Sequence, residues 1–122
     1  MQGAGTNKES KMDEFMFLVR GYDEKGVTPE IMQKRMAAYQ PWMEKMMTAG
    51  HYKSGAPLES GSGRLLKSNR SVATDGPFLE SKEIIGGYVI VTAKDYDQAV
   101  AFAKECPLLD HCELEVRKVG KM

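Results

Sequence analysis

The sequence predicts an α+β plait: one sheet covered by two helices, in the order strand, helix, strands, long strand, helix, strand. Three observations carry this. Phe15-Met16-Phe17-Leu18-Val19 is a continuous apolar run of strand length. Thr28-Pro29-Glu30 opens a long stretch of helical periodicity. Tyr88-Val89-Ile90-Val91, behind Gly86-Gly87, is a second apolar run, followed at once by helix-capping spacing at Asp95 and Gln98. With no repeat and no linker, the pattern is a βαββαβ plait with an added hairpin.

Composition sets the bounds. A chain of 122 residues is one domain with enough length for a real core. Its 17 basic and 17 acidic residues cancel, which argues against nucleic acid and anionic membrane as partners. No apolar run has the roughly 20 residues of a membrane span, and no secretory signal core follows the N-terminus. Two cysteines, Cys106 and Cys112, suit a reduced cytoplasmic protein better than a disulfide scaffold. Nine methionines supply an adaptable core or interface.

Residues 1–11 are polar, Gly-rich and without apolar periodicity, and are expected to be a disordered tail, native or appended, ahead of a single domain over 12–122. Met12 is a plausible alternative start. The first strand, Phe15–Val19, fits a central position buried on both faces, or buried on one and paired at an interface on the other.

The helix begins with Thr28 as N-cap and Pro29 at the first helical position, and stops at Gly50. Met32, Met36, Tyr39, Met43 and Met46 recur at spacings of four, three, four and three, one helical face, widened by Trp42 and Met47. This methionine stripe is expected to be core. Pro41 lacks a backbone donor and crowds the carbonyl of Ala37, so a kink is expected near Gln40.

From His51 to Gly63 the Gly, Ser and Pro content predicts an irregular connection. His51 follows a helix end, where a surface position is expected. Arg64–Lys67 and Ser71–Thr74 are short strands around a Ser68-Asn69-Arg70 turn. Asp75-Gly76-Pro77-Phe78 is turn chemistry, with the Asp75 carboxylate placed to cap backbone N–H groups. Glu80, Lys82 and Glu83 form a charged step before the long strand. Gly86-Gly87 predicts a bulge or a close backbone approach. Asp95 caps a short amphipathic helix carrying Ala99, Val100, Phe102 and Ala103, which Pro107 stops. Finally Cys112, Leu114 and Val116 alternate with charged residues as a half-buried strand.

Five segments together resemble a known family. Asp75-Gly76-Pro77-Phe78, the charged Glu80 and Lys82-Glu83, Gly86-Gly87-Tyr88, Glu105-Cys106-Pro107 and Glu113-Leu114-Glu115-Val116-Arg117 are similar, in order and spacing, to the DGPF subgroup of YCII-related proteins, from about Met12 to Val119. The resemblance implies a ferredoxin-like fold pairing as a dimeric α/β barrel, in bacteria, with a cleft between sheet and helices. Some members are taken as enzymes by likeness to small dimeric-barrel isomerases and dehydrochlorinases, and some resemble proteins encoded beside sigma factors.

The chain departs from that pattern in two places. Many members carry a histidine eleven residues before the glycine equivalent to Gly50, paired with an aspartate; here the position is Tyr39. A phenol with an ordinary pKa of about 10 is a poor base at neutral pH, so a His–Asp pair involving Asp75 is in doubt. The closing Arg-Pro-Val of many members is Arg117-Lys118-Val119.

Two functions fit. One is a non-catalytic binding or regulatory dimer whose small-molecule ligand meets Tyr39, Trp42, Glu80, Lys82, Glu83 and Tyr88. The other is an isomerase- or lyase-type enzyme with Asp75 as general base and Tyr39 or Tyr88 as hydrogen-bond donor. The aromatic residues also suit a plain core role. Cys106, His111 and Cys112 lack a fourth ligand at a familiar zinc spacing, and neither a metal nor a cofactor is expected. A homodimer is expected, because the apolar residues exceed what one sheet and two helices hide.

Overall fold

The computed structural model describes residues 12–21, 25–59, 62–74 and 85–121. The expected N-terminal tail and the Asp75–Glu83 stretch lie outside these residues.

Strand β1 (Asp13–Arg20) is central in a four-stranded antiparallel sheet of order β2-β5-β1-β6, where β2 is Tyr52–Pro57, β5 is Ile85–Ala93 and β6 is Glu113–Lys118. Its run of apolar residues is buried on one face only. Phe15, Phe17 and Val19 are buried, and they lie opposite Val91, Val89 and Gly87 of β5. Because side chains alternate across a strand, Met16 and Leu18 fall on the other face with Tyr88 and Ile90, all half-buried.

Helix α1 (Pro29–Thr48) packs on the core face. Thr28 Oγ1 accepts from the Ile31 N–H at 3.1 Å, and the helix continues through Pro41. It closes with Gly50 at φ 81°, His51 N–H bonded to Met46 O and Gly50 N–H to Met47 O, a left-handed cap that only glycine adopts without strain. The methionine stripe is core only in its second half. Met46 is buried and Met43 packs against the core, but Met36 is 62% exposed. Among the described residues, the core members and the residues packed against it that come from this helix (Tyr39, Trp42, Met43 and Met46) all lie in its second half.

Tyr52–Pro57, read from the sequence as irregular, is the edge strand β2. An edge position explains how a strand tolerates Pro57 at its end and Gly55 in its middle. Strands β3 (Leu65–Leu66) and β4 (Val72–Thr74) form the expected hairpin as a separate two-stranded sheet. Helix α2 (Tyr96–Lys104) begins with Asp95 Oδ1 accepting from Gln98 N–H at 2.9 Å. The Gln98 side chain reaches back to the Lys94 N–H at 2.8 Å, one residue before the cap itself. Pro107 opens a single 3₁₀ turn, Pro107–Asp110, which the sequence did not signal.

The core is Phe15, Phe17, Trp42, Met46, Val89, Val91, Ala93, Ala99, Ala103 and Cys106, with Tyr39, Tyr52, Leu114 and Val116 packed around it. The alanines let α2 lie close to the sheet. Phe15 meets Tyr96 edge-on with centroids 4.9 Å apart.

Candidate ligand-binding site

The second half of α1 brings Tyr39 and Trp42 together over the core face of the sheet, with ring centroids 5.6 Å apart. Three residues apart on a helix, they share one face. Trp42 is 5% exposed and tilts against Phe17 at 6.4 Å; its indole N–H donates to the Phe102 carbonyl at 3.1 Å. Its polar group is therefore already used, and Trp42 has only apolar surface to offer. In this it follows the core role.

Tyr39 differs. It is half-buried, and burial raises its hydroxyl well above the ordinary tyrosine pKa, with Tyr52 and Cys106 pushing it further. Tyr39 is thus a neutral phenol at any physiological pH, a hydrogen-bond donor and not a base. Tyr52 lies beside it, from the inward position of β2. Gly55 makes room for Tyr52: a Cβ there would stand 2.9 Å from the Tyr52 hydroxyl and 2.9 Å from the Tyr88 carbonyl. Cys106 completes this polar spot at the core's edge. Its thiol is pushed up to about 11 by burial, against a hydrogen bond from Leu108 that works the other way. Tyr52 and Gly55 were missed in the sequence because the stretch carrying them has loop composition.

Tyr88 does not join this group within one chain. Val89 points into the core, so its neighbour Tyr88 stands on the opposite face of the sheet, beside Leu18 and across from Ala56. Gly86-Gly87 does mark both a register shift against β1 and a close approach. A Cβ on Gly87 would sit 2.8 Å from Ala56 O. Asp75, Glu80, Lys82 and Glu83 lie outside the described residues.

His51 is half-buried, not a surface residue. Its Nδ1 bonds the Thr92 carbonyl at 2.8 Å and its ring lies 4.7 Å from that of Phe102. Cys112 donates its thiol to Leu108 O at 2.9 Å, and burial pushes it up to about 11. His111 is shifted down, first by burial and then by Arg35, with Asp110 opposing. Among the described residues, no three His, Cys, Asp or Glu side chains are placed to hold a metal ion. A concavity opens between Arg20 and Gly21 at the end of β1 and the stretch Leu109, Asp110, His111, Cys112 and Glu113 that leads from the 3₁₀ turn into β6. No helix among the described residues is long and apolar enough to cross a membrane.

A four-stranded antiparallel sheet with two helices on one face, carrying a polar spot between helix and sheet, defines a ferredoxin-like α+β protein. The YCII-related domain matches residues 15–122, and the chain belongs to that family. A similar solved structure is 5-chloro-2-hydroxyhydroquinone dehydrochlorinase (TftG) from Burkholderia phenoliruptrix AC1100, in complex with 2,5-dihydroxybenzoquinone. It is 14% identical, with 89% of this chain and 95% of that one covered and a TM-score of 0.53, a likeness of fold. No curated protein matches.

Proposed function

We propose that the protein is a small-molecule-binding dimer, non-catalytic or regulatory, that holds a modest, polar-tipped organic ligand against Tyr39 on the core side of the sheet. The observation that carries this is Tyr39 itself. Where many relatives are expected to hold a histidine base, this chain holds a phenol that stays protonated, next to a second phenol and a buried thiol. Such a group recognises an oxygen acceptor and abstracts no proton. Asp75, Glu80, Lys82 and Glu83 enter from the sequence alone, as the polar stretch that joins β4 to β5. Trp42 backs the site, and Tyr88, on the far face, belongs to the pairing surface.

That surface is the outer face of the sheet. Met16, Leu18, Ala56, Tyr88 and Ile90 form an apolar patch there, framed by ion pairs of Lys53 with Glu14 and of Arg20 with Glu115 at 3.3 Å. A second copy would cover it. Balanced charge argues against nucleic acid or membrane as partner, and two free cysteines suit the cytoplasm.

Thermal-shift titration with 2,5-dihydroxybenzoquinone and related hydroxylated rings tests the site. Replacing Tyr39 by Phe should weaken a stabilising ligand by about tenfold, the worth of one hydrogen bond to a polar group. Equal stabilisation of both proteins would place the ligand elsewhere.

An isomerase- or lyase-type reaction with Asp75 as base is favoured by one observation, the fold shared with a dehydrochlorinase. Chloride release from 5-chloro-2-hydroxyhydroquinone, abolished by Asp75→Asn, would establish it over the binding role.

A further inference from the structure

We propose that the free edge of β6 docks the β6 of a second copy of this chain, the two strands running antiparallel with Glu115 opposite Glu115. This contact lies apart from the outer-face pairing proposed above and does not depend on it.

The two edges of the sheet are built differently. The β2 edge carries the devices that keep a strand from recruiting another: a register shift between Tyr52 and Ser54, a glycine at 55 and Pro57 at its end. β6 has none of these. Glu113–Lys118 holds neither proline nor glycine, and its register against β1 runs unbroken from Glu113 opposite Arg20 to Lys118 opposite Phe15. Among the described residues, no strand lies beyond it.

The backbone bonds fix which groups of β6 face outward. In an antiparallel strand, successive residues turn their N–H and C=O to opposite sides. Val119 N–H donates to Glu14 O of β1 at 2.8 Å. By alternation Arg117, Glu115 and Glu113 also turn to β1, and Lys118, Val116 and Leu114 turn away from it. The Tyr96 hydroxyl accepts from the Lys118 N–H at 2.8 Å and closes that end of the edge. Leu114 and Val116 remain, each with a donor and an acceptor directed outward. A two-fold pair built on these residues sets each Leu114 against Val116 of the other copy.

The side chains agree with that register. Leu114 and Val116 both pack against the core, so their pairing extends one apolar surface across the join. On the opposite side the exposed Glu113 meets the exposed Arg117 of the other copy, and symmetry repeats the pair. Glu115 meets its own image, but Arg20 at 3.3 Å and Arg117 at 3.2 Å already hold it within its own chain. A slip of two residues one way would set Glu113 against Glu115, acid on acid. The opposite slip would need the Lys118 N–H that Tyr96 holds. Backbone and charge thus select the same register.

Hydrogen exchange and sedimentation equilibrium on the full chain, over a concentration series, test this. The amides of Leu114 and Val116 should be protected at high concentration and lose that protection on dilution. Arg117→Glu should abolish it and raise the dissociation constant of this contact about tenfold or more, the scale of like charges brought together at an interface. Adding Glu113→Arg swaps the pair and should restore both readouts, which misfolding would not permit. Ile90→Lys strikes the outer face and should leave the protection of these two amides in place, so the two contacts fail separately. Leu114 and Val116 amides that exchange freely at millimolar concentration would overturn the edge contact, whatever the outer face does. Protection that survives Arg117→Glu would overturn the register.

Discussion

Trp42 on the long helix donates its indole N–H to the backbone carbonyl of Phe102 on the short helix, at 3.1 Å. The two residues are 60 positions apart, and the bond locks both helices onto one face of the sheet. Phe102 O also accepts from the Glu105 N–H at 3.2 Å, so it keeps a partner if the indole is removed. Trp42→Phe should therefore cost about 1–2 kcal/mol, from the lost bond and a small void, by urea unfolding. Trp42→Ala should cost about 3–5 kcal/mol, the range for deleting a buried aromatic.

Gly87 is required by the edge strand. A Cβ there would approach Ala56 O to 2.8 Å and Pro57 Cα to 3.2 Å, both backbone atoms that cannot swing aside. Gly87→Ala should destabilise by about 1–3 kcal/mol, the cost of overpacking. Gly120→Ala has nothing within 4 Å and should stay within about 0.5 kcal/mol of wild type. Paired thermal melts of the two variants make the comparison.

Stability should fall on the alkaline side. Cys106 and Cys112 are raised from 9.0 to about 11 in the folded chain, and Tyr39 is raised as well. The folded state then holds protons that the unfolded chain releases. The contribution is complete below pH 9 and is lost as pH climbs through the folded values near 11. His111 has the opposite sign. Its folded value is lowered, so its contribution is present above pH 6.5 and fades on acidification. Urea midpoints from pH 5 to 11 should trace a plateau between these two edges.

The outer sheet face should tolerate polarity only in a monomer. Ile90 sits there between Met16 of β1 and Ser54 of β2. Ile90→Lys should leave the fold intact by circular dichroism and raise the dimer dissociation constant by about a hundredfold, as for a charge placed in an apolar interface core. An unchanged mass by light scattering at micromolar concentration would show that this face is not the interface.

Much of the fold follows from local chemistry and was legible residue by residue. The Thr28 cap, the Gly50 stop, the Asp95 cap and the hairpin at Ser68–Arg70 depend on groups within a few positions of one another, so a linear sequence records them. The five DGPF-type segments likewise lie in order along the chain. What the tertiary structure decided is where separate pieces meet. Tyr52–Pro57 has the composition of a loop and becomes a strand because β5 offers its free edge. Met36 shares a stripe with Met46 but is exposed, since only the second half of the helix packs into the core. Tyr39 and Tyr88 looked like two walls of one cleft; β5 separates them, because the pleat sends Val89 inward and Tyr88 outward. Periodicity fixes which residues share a face, but only packing fixes what that face meets.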